Sequence, residues 1–187
     1  MKKVIIISGG SDGLGKEIAK TLSGEHQVII LSPTRTKLES VAQETGCDFE
    51  ICDVADFKSV TNAINNIIQK YKTIDCLINN ASLWIEGELD LNDPENIKKV
   101  IEVNTLGVIY LTKSVIPFMK LKSKGLIINI NSQGGLYGKK ERSVYTTTKW
   151  AITGLTKCLQ PELAKYGIAV TGIYPGKMKT KIKKQTF

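Results

Sequence analysis

The sequence predicts an α/β fold, one doubly wound parallel sheet of about six strands with helices on both faces. Three observations lead there. Short runs that are apolar at nearly every position, such as residues 4–7 and 126–130, recur between longer segments of helical periodicity. Such runs suit parallel strands buried on both faces. A glycine-rich stretch at residues 8–15 separates the first run from the first helical segment. No internal repeat or linker breaks the alternation, so residues 1–187 read as a single domain with a sizeable core.

The first strand is 4–7. After it Ser8-Gly9-Gly10-Ser11-Asp12-Gly13-Leu14-Gly15 opens a helix over 16–23, with Ile18, Ala19 and Leu22 at helical spacing. Glycines let the chain turn sharply and let a pyrophosphate approach the helix N-terminus, where free N–H groups and the helix dipole favour anions. The spacing is G-x-x-x-G-x-G, not the G-x-G-x-x-G of the general dinucleotide fingerprint. Alone it also fits a tight turn without a ligand. The second strand is 27–31, followed by Ser32-Pro33-Thr34-Arg35-Thr36 and a helix over 37–44. A carboxylate at this strand end bonds the ribose 2′-OH of NAD, whereas an Arg accommodates the 2′-phosphate of NADP. Ser32, Thr34 and Arg35 stand here with no acid among them, which leans towards NADP; Asp12 in the glycine loop pulls the other way by repulsion.

A third strand, 49–52, closes on Asp53-Val54 and leads into a helix over 56–71 with Val60, Ile64, Ile67 and Ile68 on one stripe. The fourth, 76–78, ends in Asn79-Asn80-Ala81-Ser82. Asp93 before Pro94 is an N-cap with Pro at the first helical position. It starts a long helical region reaching Leu121, with Asn104 and Gly107 near its middle. Gly125 leads into a strand ending at Ser132. A helix over 144–166 stops at Gly167, and a last strand, 169–174, ends in Pro175-Gly176. Right-handed crossovers place all strand C-termini on one edge, where such sheets bind ligands, and every motif named here falls on that edge.

Tyr145 and Lys149 lie four apart on a helix and share a face. A cation there favours the phenolate, lowering the tyrosine pKa from near ~10 and making a phenol usable as general acid or base. Ser132 stands thirteen residues earlier, placed to meet the tyrosine over one carbonyl oxygen. Alone, Tyr-x-x-x-Lys also describes an exposed helix pair.

Composition bounds the rest. The 42% hydrophobic and 24% charged residues are those of an ordinary soluble globule. Cys47, Cys52, Cys76 and Cys158 show no C-x-x-C spacing and read as buried thiols of a reducing compartment, with no metal site. The apolar run after Met1-Lys2-Lys3 is too short for a signal peptide and nothing approaches a membrane span, so the expected location is cytoplasmic. The net charge is +8, but Lys177, Lys179, Lys181, Lys183 and Lys184 crowd the last eleven residues as a basic tail. No stacking or zinc-finger motif accompanies it, so no specific nucleic acid is expected. His26, the one histidine, is expected at the surface. Trp84 and Ile85 either line a pocket or cover the sheet edge, while Gln133, Leu136 and Tyr137 are the better substrate-pocket candidates.

Taken together these residues resemble the short-chain dehydrogenase/reductase family, whose Rossmann-type fold the chain matches from Met1 to about Thr180. Ser8-Gly9-x-x-x-Gly13-x-Gly15 resembles the family's cofactor loop, Asp53-Val54 the dipeptide beside the adenine, and Asn79-Asn80-Ala81-Ser82 the Asn-Asn-Ala-Gly segment, departing at Ser82. Pro175-Gly176, with Met178 and Thr180, is similar to the segment that holds the nicotinamide carboxamide. The resemblance implies that Gly9, Ser11, Asp12, Gly13, Leu14, Gly15, Asn80, Ala81, Tyr145 and Lys149 contact NADP or NAD. It also implies a catalytic tetrad: Ser132 bonding the substrate oxygen, Tyr145 moving the proton, Lys149 tuning the tyrosine and holding the ribose, and Asn104 positioning a water that relays protons. The substrate is then a ketone or secondary alcohol. Family members usually continue for several dozen residues past Phe187, through a substrate-covering helix and a final strand. An abbreviated member is therefore expected, with a dinucleotide-binding sensor or scaffold of little turnover as the alternative. Paired long helices bearing Val108, Tyr110, Val115, Phe118, Met119, Trp150, Leu155 and Leu159 imply a homodimer.

Overall fold

Strand and helix alternate as expected in the computed structural model, which describes residues 2–178. Strand β1 (Val4–Ser8) is buried along its whole length, as five consecutive apolar or small residues allow. Its neighbours are β2 (Gln27–Ser32) and β4 (Cys76–Asn79). With β3 (Asp48–Ile51), β5 (Gly125–Ile130) and β6 (Ile168–Ile173) the sheet runs β3-β2-β1-β4-β5-β6, every pair parallel. The order reverses direction between β1 and β4, which opens a crevice at their C-terminal ends.

Alternate residues of each strand serve opposite faces. Helices α1 (Gly13–Leu22) and α2 (Arg35–Thr45) cover one face, where Ile5, Ile7, Val28 and Ile30 meet Ala19, Leu38 and Val41. Helices α3 (Phe57–Tyr71), α5 (Gly107–Leu121) and α6 (Ser143–Ala164) cover the other, packing Ile64, Val115 and Leu163 on Ile6 and Leu77. Helical cover on the first face thins over β5 and β6. There Leu126, Ile128 and Ile130 are only partly buried, and Ile173 is 46% exposed.

Three local departures from expectation have physical causes. α1 begins at Gly13, because the Asp12 carboxylate caps it by accepting the Gly13 N–H at 2.8 Å. The strand before Ser132 stops at Ile130, and Ser132 instead caps a short 3-10 turn, Gln133–Gly135. The long helical region is not uniform. α4 (Pro94–Ile101), capped by Asp93 at 2.9 and 3.1 Å, passes through a π-helical turn, Glu102–Leu106, before α5.

Burial corrects several residue-level expectations. Cys47, Cys52 and Cys76 are buried, and burial pushes the Cys52 thiol up to about 11 and that of Cys76 to about 12. Cys158 is exposed on α6, contrary to the reading of four buried thiols. His26 is half-buried, with an Nδ1 that has no hydrogen-bond partner. Of the residues expected to form a dimer face, Val108, Val115, Met119 and Leu159 are buried within the chain itself, because α5 packs against both α3 and the sheet. Trp150 alone of that set is more than half exposed, at 51%. Among the described residues no helix is long and apolar enough to cross a membrane, and no group of side chains could hold a metal ion.

Candidate active site

The crevice between β1 and β4 is built by two chain segments that bond to each other. Ser8, at the end of β1, accepts the Asn80 and Ala81 N–H groups on its Oγ at 3.0 and 3.1 Å. Asn80 returns its side-chain N–H to the Ser8 and Gly9 carbonyls at 3.0 and 3.1 Å. Gly9 and Gly13 both adopt positive φ, +65° and +53°. At Gly15 it is space that excludes a side chain, since a Cβ there would lie 2.3 Å from the Gly9 oxygen. The result is a bare backbone cradle at the N-terminus of α1, whose first-turn N–H groups have no intrahelical acceptor.

Beside the cradle lies a cavity of about 740 Å³. Six expected cofactor residues line it: Gly9, Ser32, Asp53, Val54, Ala81 and Ser82. Its far wall is α4, with Glu95, Asn96, Lys98 and Lys99, and reading the sequence missed all four. No local pattern signals them, since α4 meets the Asp53-Val54 end only in the folded chain. At the ribose corner Ser11 Oγ donates to Ser32 Oγ at 2.9 Å, and the Thr34 N–H reaches Ser32 Oγ at 3.4 Å. Arg35 pairs with Glu39 at 3.3 Å on the exposed face of α2. Lys37 stands 3.9 Å from Asp12 and offsets the repulsion that Asp12 would otherwise exert.

The second half of the site is buried. Tyr145 is 9% exposed and Lys149 3%. Ser132 Oγ accepts the Gly134 N–H at 3.1 Å and stands close enough to Tyr145 to favour its phenolate. The Pro175 carbonyl accepts the Gln133 N–H at 3.1 Å, which brings the Pro175-Gly176 segment alongside Ser132. Leu136 and Tyr137 are each 52% exposed, Gln133 and Met178 are also exposed, and Thr180 lies outside the described residues. Asn104 spends both amide N–H groups on protein, donating to the Leu83 carbonyl at 2.9 Å and to Thr148 Oγ1 at 3.2 Å. Its Oδ1 accepts the Leu83 N–H at 2.7 Å. Asn104 thus pins the π-helical turn to the segment after β4 and to α6.

Trp84 lines the site. Its ring lies against Tyr145, centroids 4.4 Å apart.

The electrostatics overturn one expectation. Tyr145 sits above the ordinary tyrosine value, because burial outweighs the Ser132 hydrogen bond and the charge of Arg142, which both act downwards. Lys149 does not drive it down. Its ammonium is 5.5 Å from the Tyr145 ring centre, donates among the described residues to the Ile130 carbonyl at 3.4 Å, and is held by burial to about 8. A helix spacing of four residues sets proximity but not solvation, and here solvation dominates.

Comparison with known proteins follows the same lines. A family model described as short chain dehydrogenase matches residues 3–187. A trans-4-hydroxycyclohexanecarboxylate dehydrogenase of Sinomonas cyclohexanicum is 31% identical over 191 residues, covering 96% of this chain and 73% of the relative. Among solved structures, an actinorhodin polyketide ketoreductase with NADPH superposes with a TM-score of 0.93 at 29% identity, covering 97% of this chain and 72% of that one. A 3-ketoacyl-(acyl-carrier-protein) reductase from Brucella melitensis complexed with NADH does so with a TM-score of 0.93 at 28% identity, covering 96% and 77%.

A buried lysine of lowered pKa makes a stability prediction. In the folded protein Lys149 titrates near 8, against an ordinary 10.5. Between those values the unfolded chain binds a proton that the folded one does not, so stability rises with pH across that window. Below it the full burial penalty applies. Lys149→Met, of similar volume, is expected to stabilise the protein by roughly 1–3 kcal/mol near neutral pH. The advantage should shrink as pH climbs towards 10.5. Urea unfolding across the pH range measures it, and a variant no more stable at neutral pH would refute the assignment.

Proposed function

The chain belongs to the short-chain dehydrogenase family, and on that premise we propose an oxidoreductase that moves a hydride between NADP, in preference to NAD, and a small ketone or secondary alcohol. The observation that carries this reading is the approach of the Ser132 hydroxyl to Tyr145, close enough to favour its phenolate, at the same sheet edge as the glycine cradle. A binding protein has no need of that pair.

The residues present fit a dinucleotide. Gly9 and Gly15 let the loop close on Ala81, Asn80 and itself where a Cβ would clash, and this bare backbone at the N-terminus of α1 suits a pyrophosphate. Asp53 and Val54 wall the cavity where an adenine would lie. When bound, the nicotinamide supplies the hydride. The Gly134 N–H occupies one Ser132 lone pair and orients the hydroxyl, whose proton can turn from Tyr145 to a substrate oxygen. Tyr145 gives or takes the proton at its hydroxyl, and the sparsely partnered Lys149 ammonium is left to bind ribose hydroxyls. Asn104 acts by position, holding the π-helical turn and α6 together. Gln133, Leu136 and Tyr137 border the space in which the substrate would sit.

The expected homodimer stands on narrower ground than the sequence offered. Trp150, Ala151, Gly154 and Cys158 form an exposed strip on α6, one large aromatic among small residues that permit close approach by a second copy. Light scattering should return twice the chain mass at micromolar concentration. A monomer mass removes the interface.

Two substitutions test the chemistry. Tyr145→Phe keeps the ring and loses the proton, so kcat should fall by about 10²–10⁴-fold while NADPH affinity stays nearly unchanged. Turnover close to wild type would exclude Tyr145 as the acid or base. For cofactor choice, the Arg35–Glu39 pair is exposed and weak, so Arg35 can transfer to a 2′-phosphate. NADPH should therefore bind at least about tenfold tighter than NADH, from one charge-assisted contact of about 1.5–3 kcal/mol. Arg35→Ala should erase most of the difference. Equal affinities in the unaltered protein would remove the argument.

A further inference from the structure

Tyr145 is faced by a stack of side chains that the proposed chemistry does not use. The Trp84 ring lies 4.4 Å from the Tyr145 ring, tilted by 52°. The Arg142 guanidinium also packs over that indole, 4.6 Å from its centroid. Glu86 Oε1 accepts from Arg142 Nε and Nη2 at 3.4 and 3.3 Å. The backbone repeats the connection, with the Gly87 N–H on the Glu141 carbonyl at 2.8 Å. The segment after β4 and the turn before α6 are thus clasped together directly over the tyrosine. Trp84 and Ile85 on one side and Val144 and Tyr145 on the other share a single small apolar cluster.

The charges around the phenol are few. On its own helix Tyr145 has Lys149; from the end of β5 it has the neutral Ser132; from the segment after β4 it has Glu86, already engaged by Arg142. Asn104 and Thr148, from the π-helical turn and α6, are uncharged. Lys149, held to about 8 by burial, loses its proton as the solution turns alkaline. Arg142 does not, since a guanidinium stays protonated throughout. Its ion pair with Glu86 is about one-third exposed on both sides, so the pair is a tether and not a buried neutralisation.

We propose that Arg142, held by Glu86 against the indole of Trp84, is a positioning residue for Tyr145: it presses the indole onto the phenol and keeps a permanent cation near the hydroxyl. The inference rests on the reading of Tyr145 as the proton-exchanging group. The site would then have two cations of different kinds, a buried lysine that titrates and a surface arginine that does not. Arg142 lies downhill of the burial that raises Tyr145, consistent with its charge acting to lower that group.

The test needs a readout that does not depend on turnover. Protein isotope-labelled at the tyrosine Cζ reports ionisation of each phenol by NMR, and the Tyr145 resonance is assigned by its loss in Tyr145→Phe. In Arg142→Met the fraction of Tyr145 ionised at about pH 10 should drop about threefold to tenfold, as a shift of half to one pH unit requires. Arg142→Lys should recover most of it, since it restores the charge and loses only the planar stack. Trp84→Phe should stay near wild type and Trp84→Ala should not. If alcohol oxidation is observed, its acidic limb should move to higher pH in Arg142→Met and return in Arg142→Lys. Should Arg142→Met fail to fold, Arg142→Gln keeps a hydrogen bond to Glu86 and must move the resonance the same way. An unmoved Tyr145 titration in a folded Arg142 variant overturns the proposal even if the enzyme is active. Absence of turnover in the unaltered protein overturns the proposed function and leaves the titration to decide this inference alone.

Discussion

The site depends on a buried ladder of amides and hydroxyls behind the C-terminal edge of the sheet. Asn79 at the end of β4 lies in register with Asn129 on β5, donating to its Oδ1 at 2.9 Å and to Thr112 Oγ1 of α5 at 3.1 Å. Asn129 continues to Thr156 of α6 at 2.9 Å, and Asn131 to Thr153, also of α6, at 2.9 Å. An apolar face would hold α6 to the sheet but would tolerate sliding. A buried donor left without an acceptor costs about 1–3 kcal/mol, so the ladder accepts one alignment of the helix. That alignment decides where Tyr145 and Lys149 fall relative to Ser132. Among the described residues Asn79 Oδ1 and Asn131 Oδ1 accept no hydrogen bond, so the ladder carries a residual cost beside Tyr145 and Lys149.

Thr153 shows how closely the ladder and the site are joined. Its hydroxyl receives Asn131 and reaches the carbonyls of Gly135 at 2.9 Å and Lys149 at 3.2 Å. A Cβ on Gly135 would come within 2.8 Å of both Asn131 side-chain atoms and of Thr153 Oγ1, so the 3-10 turn capped by Ser132 must carry glycine there. On the opposite side of the crevice Ser8 and Asn80 perform the same service for the glycine loop. Both halves of the site are therefore positioned by short polar side chains bonded to backbone, which have little rotamer freedom to lose on ordering.

Features written into neighbouring residues were legible in the sequence. The glycine loop, the strand ends at Ser32 and Asp53, and the Tyr145–Lys149 pair each depend on local geometry, and each lies where it was expected. What could not be read depends on the third dimension. Arg142 and Glu86 are 56 residues apart in the chain, and neither has a local pattern that announces the other. The dimer stripe was misjudged because α5 is packed on two sides, so its apolar excess fills the chain's own core. The Tyr145 ionisation was misjudged because a helical offset says nothing about how dry the two groups are.

That dryness sets the remaining physical problem. Burial raises the tyrosine and lowers the lysine, so both groups are driven towards their neutral forms. A general acid benefits from a raised pKa only until the proton becomes too hard to release near the working pH. Polar groups must therefore compensate for lost water without admitting it. Ser132 does this from the substrate side by a hydrogen bond, and Arg142 from the solvent side by charge. The indole of Trp84 touches both that charge and the phenol, and the apolar volume it fills excludes water, so the field there is stronger than through solvent. An arginine acting through water instead would have its field weakened by the high dielectric and screened by ions over about 8–10 Å. The aromatic wall is what allows a cation at the surface to matter to a phenol that is nearly buried.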